Sequence, residues 1–166
     1  AAESAREIAP GVLFEKNVAI PMRDGAQLMA NIYRPKAEGQ YPVIMGLSAY
    51  GKDLHTKEIH AEAWEDMLAR VPGLLDNSSG LYHTWELYDP EVWVPDGYIL
   101  VRVDSRGSGK SPGLLSPLSG KEAEDYYDAI EWAGVQPWSN GKVGMAGISY
   151  YGIIQWKVAS LQPPHL

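Results

Sequence analysis

The sequence predicts an α/β protein with a mixed, mostly parallel sheet led by a hairpin. Three observations carry that prediction. In the second half of the chain, apolar runs alternate with stretches of helical period, as in strands joined by right-handed crossovers. Near the start, two strand-like runs flank Asp24-Gly25, a strong turn signal. Close to the end, a short apolar run, a sharp glycine and serine turn and a helix-forming stretch follow one another directly.

The elements follow in order. Val12–Pro21 reads as a strand, and Leu28–Tyr33 alternates apolar and polar residues as its hairpin partner. Pro35–Gly39 is a loop, and Pro42–Leu47 is the continuous apolar run of a buried strand. Thr56–Arg70 reads as a helix stopped by Pro72-Gly73, with a loop at Asn77-Ser78-Ser79-Gly80. The aromatic residues between Trp64 and Trp93 suit either an acyl pocket or, the preferred reading, core packing beneath an insertion. Tyr98–Val103 is the clearest buried strand, and Gly107–Gly120 is a loop rich in glycine, serine and proline.

Lys121–Ala133 is amphipathic, with Ala123, Tyr127 and Ile130 on one face. The acidic set Glu122, Glu124, Asp125, Asp128 and Glu131 reads as a solvated helix face rather than as paired catalytic carboxylates. A turn at Pro137–Gly141 leads into the last strand, Lys142–Ala146. Ile153–Ser160 is the final helix, stopped by Pro163-Pro164.

Composition narrows the function. A chain of 166 residues can bury a substantial core. A net charge of −7 without a basic cluster argues against nucleic acid as a partner. No apolar run approaches the roughly 18 residues that span a bilayer, so no membrane partner is expected. The absence of cysteine excludes a thiol nucleophile, disulfides and thiolate metal sites. Neither a metal nor another cofactor is expected. Ala1-Ala2-Glu3 shows no apolar signal core, although a cleaved signal would look the same, and no compartment is assigned.

The chemistry concentrates in Gly147-Ile148-Ser149-Tyr150-Tyr151-Gly152. A serine on a sharp turn between strand and helix is the context of a nucleophile elbow, with Ser149 as candidate nucleophile. The generic Gly-x-Ser-x-Gly is not met, because Tyr151 stands where the second glycine belongs and Gly152 follows it. The alternative is a glycine-rich turn with a merely exposed serine. Gly107-Ser108-Gly109-Lys110-Ser111 is not a phosphate loop, because Asp104 occupies the position of its first glycine. Asp104 and Arg106 are instead expected to tie that loop down. His55 and His60 lack metalloprotease spacing, and His83 sits in an aromatic loop. His165, the one histidine after Ser149, lies a helix length away, about 22 Å for 15 residues, and is not expected to serve as base.

The form Gly-x-Ser-Tyr-x-Gly resembles the elbow of the family of cocaine esterase, X-prolyl dipeptidyl peptidases and α-amino-acid ester hydrolases. Val103–Gly113 and Pro137–Gly144 resemble that family's loop and its approach to the elbow. Met22–Gly25 and Ala30–Pro35 resemble its opening hairpin, while Leu54–Glu91 carries little likeness. The resemblance implies the N-terminal half of an α/β-hydrolase fold. It makes residues 1–166 the N-terminal part of one such domain, with a cap and a C-terminal β-sandwich in the rest of a longer parent. It also implies an oxyanion hole formed by the Tyr50 phenol and the backbone N–H of Tyr150. Ala49 and Gly51 depart from the residues that usually flank that tyrosine.

The expected function is a serine hydrolase that cleaves an ester or amide of a small-molecule or short-peptide acyl substrate through an acyl-enzyme on Ser149. Base and acid would lie beyond Leu166, the remainder of the parent polypeptide would be the chain's structural partner, and the fragment alone would be nearly inactive. An acylase or an X-prolyl or aminoacyl peptidase on the same scaffold is the near alternative. A non-catalytic α/β binding module is the alternative of another class.

Overall fold

A computed structural model describes residues 4–166, and Ala1–Glu3, where a signal core was sought, lie outside the described residues. Six strands form one sheet: β1 (Arg6–Ala9), β2 (Val12–Pro21), β3 (Gln27–Pro35), β4 (Tyr41–Ser48), β5 (Ile99–Asp104) and β6 (Ser139–Met145). Five helices accompany it: α1 (Thr56–Ile59), α2 (Ala61–Arg70), α3 (Pro90–Trp93), α4 (Gly120–Gly134) and α5 (Tyr150–Ser160). The strand order is β1-β2-β3-β5-β4-β6.

The sheet is mixed, as the hairpin implied, but it is not mostly parallel. β1 with β2, β2 with β3 and β3 with β5 pair antiparallel, and only β4 with β5 and β4 with β6 pair parallel. The reason is the leading meander. It contributes two antiparallel pairings, and its last strand slots beside β5 to make a third. Parallel pairing is confined to strands whose connections are long enough to return to the same end of the sheet.

Each face of the sheet carries its own core. On one face Ile20, Leu28, Met45, Leu47 and Ile99 pack against Tyr126, Ala129 and Ile130 of α4 and Ile154 and Val158 of α5. On α4 the inward tyrosine is Tyr126, and Tyr127 is only half-buried, which corrects the helical face read from the sequence. The solvated acidic face also needs correction, since Glu122 and Asp125 are buried and engaged. Asp125 takes a bidentate pair from Arg106 at 2.8 and 2.9 Å, and Arg106 reaches on to Asp24.

On the other face Phe14, Tyr33 and Leu100 pack with Val94, Tyr82 and Trp93 of the insertion between β4 and β5. The Phe14 and Tyr33 rings stack at 4.7 Å. Arg102, buried on β5, clips the insertion to the sheet. Its guanidinium donates to the carbonyls of Tyr82 and Tyr88 at 2.8 and 2.7 Å and lies 4.9 Å from the Tyr33 ring centroid. The helix read over Thr56–Arg70 is broken at His60, whose backbone is not helical.

Candidate active site

The site lies where the parallel strands end. β6 stops at Met145, and the Ala146 N–H donates to the Met45 carbonyl at 2.9 Å. The chain then turns into α5 within four residues. Ser149, at the apex, has φ 56° and ψ −116°, a conformation that a non-glycine residue adopts only under constraint. It precedes the first residue of α5, is solvent-exposed, and its hydroxyl caps nothing. It also makes no hydrogen bond to any side chain among the described residues. A hydroxyl held on a strained turn at a helix N-terminus and left free is the arrangement a nucleophile requires.

The off-pattern tyrosine has a steric explanation. Gly147 has φ +127°, and a Cβ there would overlap Tyr151. On the neighbouring strand, a Cβ on Gly46 would come 2.7 Å from Leu87 and 3.3 Å from the Tyr151 ring. Glycines at 46 and 147 therefore make the room that a second elbow glycine would make in the generic pattern. A Cβ on Gly152 would meet only the Gly147 carbonyl at 3.5 Å, an ordinary contact.

Tyr50 lies in the turn that follows β4. Its backbone N–H donates to Ser48 Oγ at 3.2 Å, and the Ala49 carbonyl accepts from Ser108 Oγ at 2.7 Å. The next residue, Gly51, sits at φ +98°, so the glycine beside Tyr50 is demanded by the backbone. Lys52 N–H then donates to Asp104 Oδ1 at 2.6 Å, and Lys52 Nζ stands 3.3 Å from Asp104 Oδ2. Asp104 also accepts the Lys110 N–H at 2.8 Å, so one buried carboxylate fastens both loops. The expectation that Asp104 and Arg106 restrain the 107–120 loop takes this form. They act with separate partners and do not pair with each other.

This scaffolding brings Tyr50 to the elbow. The Tyr50 ring centroid is 5.4 Å from that of Tyr150 and 5.8 Å from that of Tyr151. Tyr150 is the first residue of α5, so its backbone N–H has no intrahelical acceptor, and it finds none elsewhere among the described residues. Its phenol donates to Glu122 at 2.6 and 2.8 Å. Burial, and then that carboxylate, raise the Tyr150 phenol pKa far above its ordinary value, so the group stays a neutral donor.

The histidines are placed elsewhere or otherwise engaged. His55 caps α1 and meets the Gly80 carbonyl at 2.7 Å, and His83 pairs with Thr56 Oγ1 at 2.7 Å. His60 packs on Trp85 with ring centroids 4.1 Å apart. His165 sits against the C-terminal end of α4, where Nδ1 meets Glu131 at 2.8 Å, and its carbonyl accepts the Val143 N–H on the outer edge of β6. None is hydrogen-bonded to Ser149.

Two further residues of the site lie outside the elbow motif. Glu86 has φ +59°, and its carbonyl accepts the Ile148 N–H at 3.3 Å, bracing the elbow from the insertion. Its Oε2 is buried without a partner, and burial raises its pKa. Glu122 does have a local signal, since Ser119 and Glu122 have capping-box spacing. Ser119 Oγ duly accepts the Glu122 N–H at 3.1 Å.

Comparison with known proteins places the chain in a family. The profile of the X-Pro dipeptidyl-peptidase (S15 family) matches residues 24–166. The chain is 33% identical over 144 residues to the cocaine esterase of Rhodococcus sp. (strain MB1 Bresler), covering 86% of this chain and 20% of that protein. A CocE/NonD family hydrolase from Staphylococcus aureus superposes with a TM-score of 0.79 at 46% identity, over 93% of this chain and 26% of that one. An α-amino acid ester hydrolase superposes with a TM-score of 0.63 at 28% identity, over 94% of this chain and 24% of that one. The chain thus spans about a fifth to a quarter of the length of these relatives, and its fold is the corresponding part of an α/β-hydrolase.

Proposed function

The chain belongs to the X-Pro dipeptidyl-peptidase (S15) family, and from that premise we propose that it is the nucleophile-bearing portion of a serine hydrolase acting on carboxylic esters. Residues 1–166 are the N-terminal part of one α/β-hydrolase domain in a longer parent. The observation that carries the reading is Ser149, exposed and strained at φ 56° with an uncommitted hydroxyl.

In this reaction Ser149 Oγ attacks the acyl carbonyl carbon, and its proton passes to a histidine of the parent outside residues 1–166. The carbonyl oxygen becomes an oxyanion held by the Tyr50 phenol and the Tyr150 backbone N–H. Each such donor is worth roughly 3–4 kcal/mol of barrier. Collapse expels the alcohol and leaves the acyl group on Ser149, and water attacks the acyl-enzyme to release the acid. A carboxylate of the parent orients the histidine. The site itself uses no metal or other cofactor in these steps.

The remainder of the parent is also the structural partner of this portion. α5 is apolar on both faces. Ile154 and Val158 are in the core, but Ile153 and Leu161 are exposed and Trp156 is 81% exposed. Together with the outer edge of β6, they offer the surface on which further strands and helices of the domain pack.

A second reading, amide rather than ester cleavage, is favoured by the family's own description as dipeptidyl-peptidases. The elbow and oxyanion donors serve both reactions, and the leaving group is read by other parts of the parent. The decisive experiment treats the full-length parent with a fluorophosphonate and maps the adduct. Labelling at Ser149, and loss of ester hydrolysis by roughly 10⁴-fold or more in Ser149→Ala, are expected. An unlabelled Ser149 in an active preparation would return this serine to a structural role.

A further inference from the structure

The Glu122 side chain is 4% exposed and lies between the N-termini of α4 and α5. Three donors converge on it in four contacts. Ser105 Oγ donates to Oε1 at 2.5 Å, and the Leu118 N–H donates to Oε2 at 2.6 Å. The Tyr150 phenol donates to both oxygens, at 2.6 and 2.8 Å. No Lys, Arg or His among the described residues lies within ion-pair distance of it. Its charge is met entirely by hydroxyls and a backbone amide, so every donor counts in keeping it buried.

The position matters more than the count. Tyr150 follows the strained apex directly, and its ring lies against that of Tyr50. We propose that Glu122 is a positioning residue that sets both oxyanion donors through one phenol. Gripping the Tyr150 hydroxyl fixes the residue whose backbone N–H is one donor. It also fixes the ring against which Tyr50, the other donor, rests. Ser105, next after β5, extends the grip to the end of β4, since its own N–H donates at 2.9 Å to the carbonyl of Ser48, two residues before Tyr50. The two donors approach the oxyanion from different elements, and a shared anchor keeps their separation constant while substrate exchanges.

The inference rests on the serine-hydrolase reading above. It concerns neither nucleophile nor base, only the geometry of the hole. A hole misplaced by a fraction of an ångström binds the ground state nearly as before but loses transition-state stabilisation.

The test uses the full-length parent carrying Tyr150→Phe, which deletes only the gripped hydroxyl, and Glu122→Gln, singly and together. Active enzyme is counted by fluorophosphonate titration, so partial misfolding does not enter kcat. The expected result is a fall in kcat of about tenfold to a hundredfold with KM within about twofold. Affinity for a boronic acid, which mimics the tetrahedral intermediate, should fall in parallel. The double variant should be no slower than Glu122→Gln alone, because both changes cut the same link.

Unchanged kcat and boronate affinity in both single variants, or losses that simply add, would overturn the proposal and leave Glu122 as a packing group. Ser149→Ala separates the two levels. If it is inactive and unlabelled while Tyr150→Phe matches wild type, the positioning role fails and the hydrolase reading stands. If Ser149→Ala keeps its activity, the hydrolase reading itself fails.

Discussion

Asp104 and Glu122 are both carboxylates with almost no exposure, and each secures one of the two turns that frame Ser149. They do so with different partners. Asp104 faces a buried cation, Lys52 Nζ at 3.3 Å, and backbone N–H groups from both flanking loops. Glu122 faces neutral donors alone. The Tyr50 side of the site is therefore held by a charged cluster in which Lys52 Nζ is shared between Asp104 and, at 2.9 Å, Asp53. The Tyr150 side is held by hydrogen bonds that can be lost singly. The first arrangement resists gradual change and fails abruptly. The second can be tuned one donor at a time.

The contrast breaks most visibly in stability. Asp104→Asn leaves the buried Lys52 ammonium to Asp53 and Asn17, each at 2.9 Å, and turns one oxygen that accepts the Lys52 or Lys110 N–H into a donor, and a loss of about 2–4 kcal/mol is expected. Glu122→Gln turns one acceptor into a donor facing donors and should cost less, about 1–3 kcal/mol. Urea unfolding of the full-length parent, with both variants side by side, reads the difference. Equal midpoints would erase the distinction between the anchors.

Tyr50→Phe sharpens the contrast from the chemical side. Among the described residues the phenol makes no hydrogen bond to another side chain, so removing it should leave the unfolding midpoint within experimental scatter while lowering kcat by roughly 10²–10³-fold. A variant that melts early but turns over normally would make Tyr50 a packing residue and remove one donor from the hole.

The smallest expected effect lies outside both anchors, at His83. Burial holds its imidazole below the ordinary 6.5, where it meets Thr56 Oγ1, His55 and Trp64, with Asp89 opposing that shift. The unfolded chain takes up the proton first as pH falls. The stability tied to the neutral ring is therefore complete above pH 6.5 and is lost as pH drops through the lower folded value. Melting temperatures of wild type and His83→Asn from pH 7.5 to 5 should converge toward the acid end. Parallel curves would show that the ring titrates normally.

What could be read from the sequence follows the range of the forces involved. Val12–Pro21 reads as a strand beside the Asp24-Gly25 turn signal, and β2 has the same bounds. The elbow too is local, since strand, glycine, serine and helix lie within a dozen residues. β1 gives no such signal, because Arg6–Ala9 is too short and too charged to show a period. Tyr126 and Tyr127 are one residue type at adjacent helical positions, and which faces the core depends on how α4 rotates against the sheet. Glu122 and Asp125 looked solvated because Ser105, Tyr150 and Arg106, which justify their burial, stand far away along the chain. Tyr50 came from family likeness rather than from any local pattern. Glu86 had neither likeness nor pattern, only a strained backbone that no glycine announces.

The antiparallel pairing of β3 with β5 also has a consequence in time. Pro35 ends β3 and Ile99 begins β5, so 64 residue positions separate the two partners along the chain. At about 5–20 residues per second a ribosome takes roughly 3–13 s to deliver the second after the first. Throughout that interval the meander's inner edge, with Ala30 to Tyr33 destined for β5, is an unpaired apolar strand beside the ribosome exit. Synthesis of this protein therefore includes a window of several seconds in which its best-formed unit is also its most adhesive, and the arrival of Leu100 to Val103 closes it.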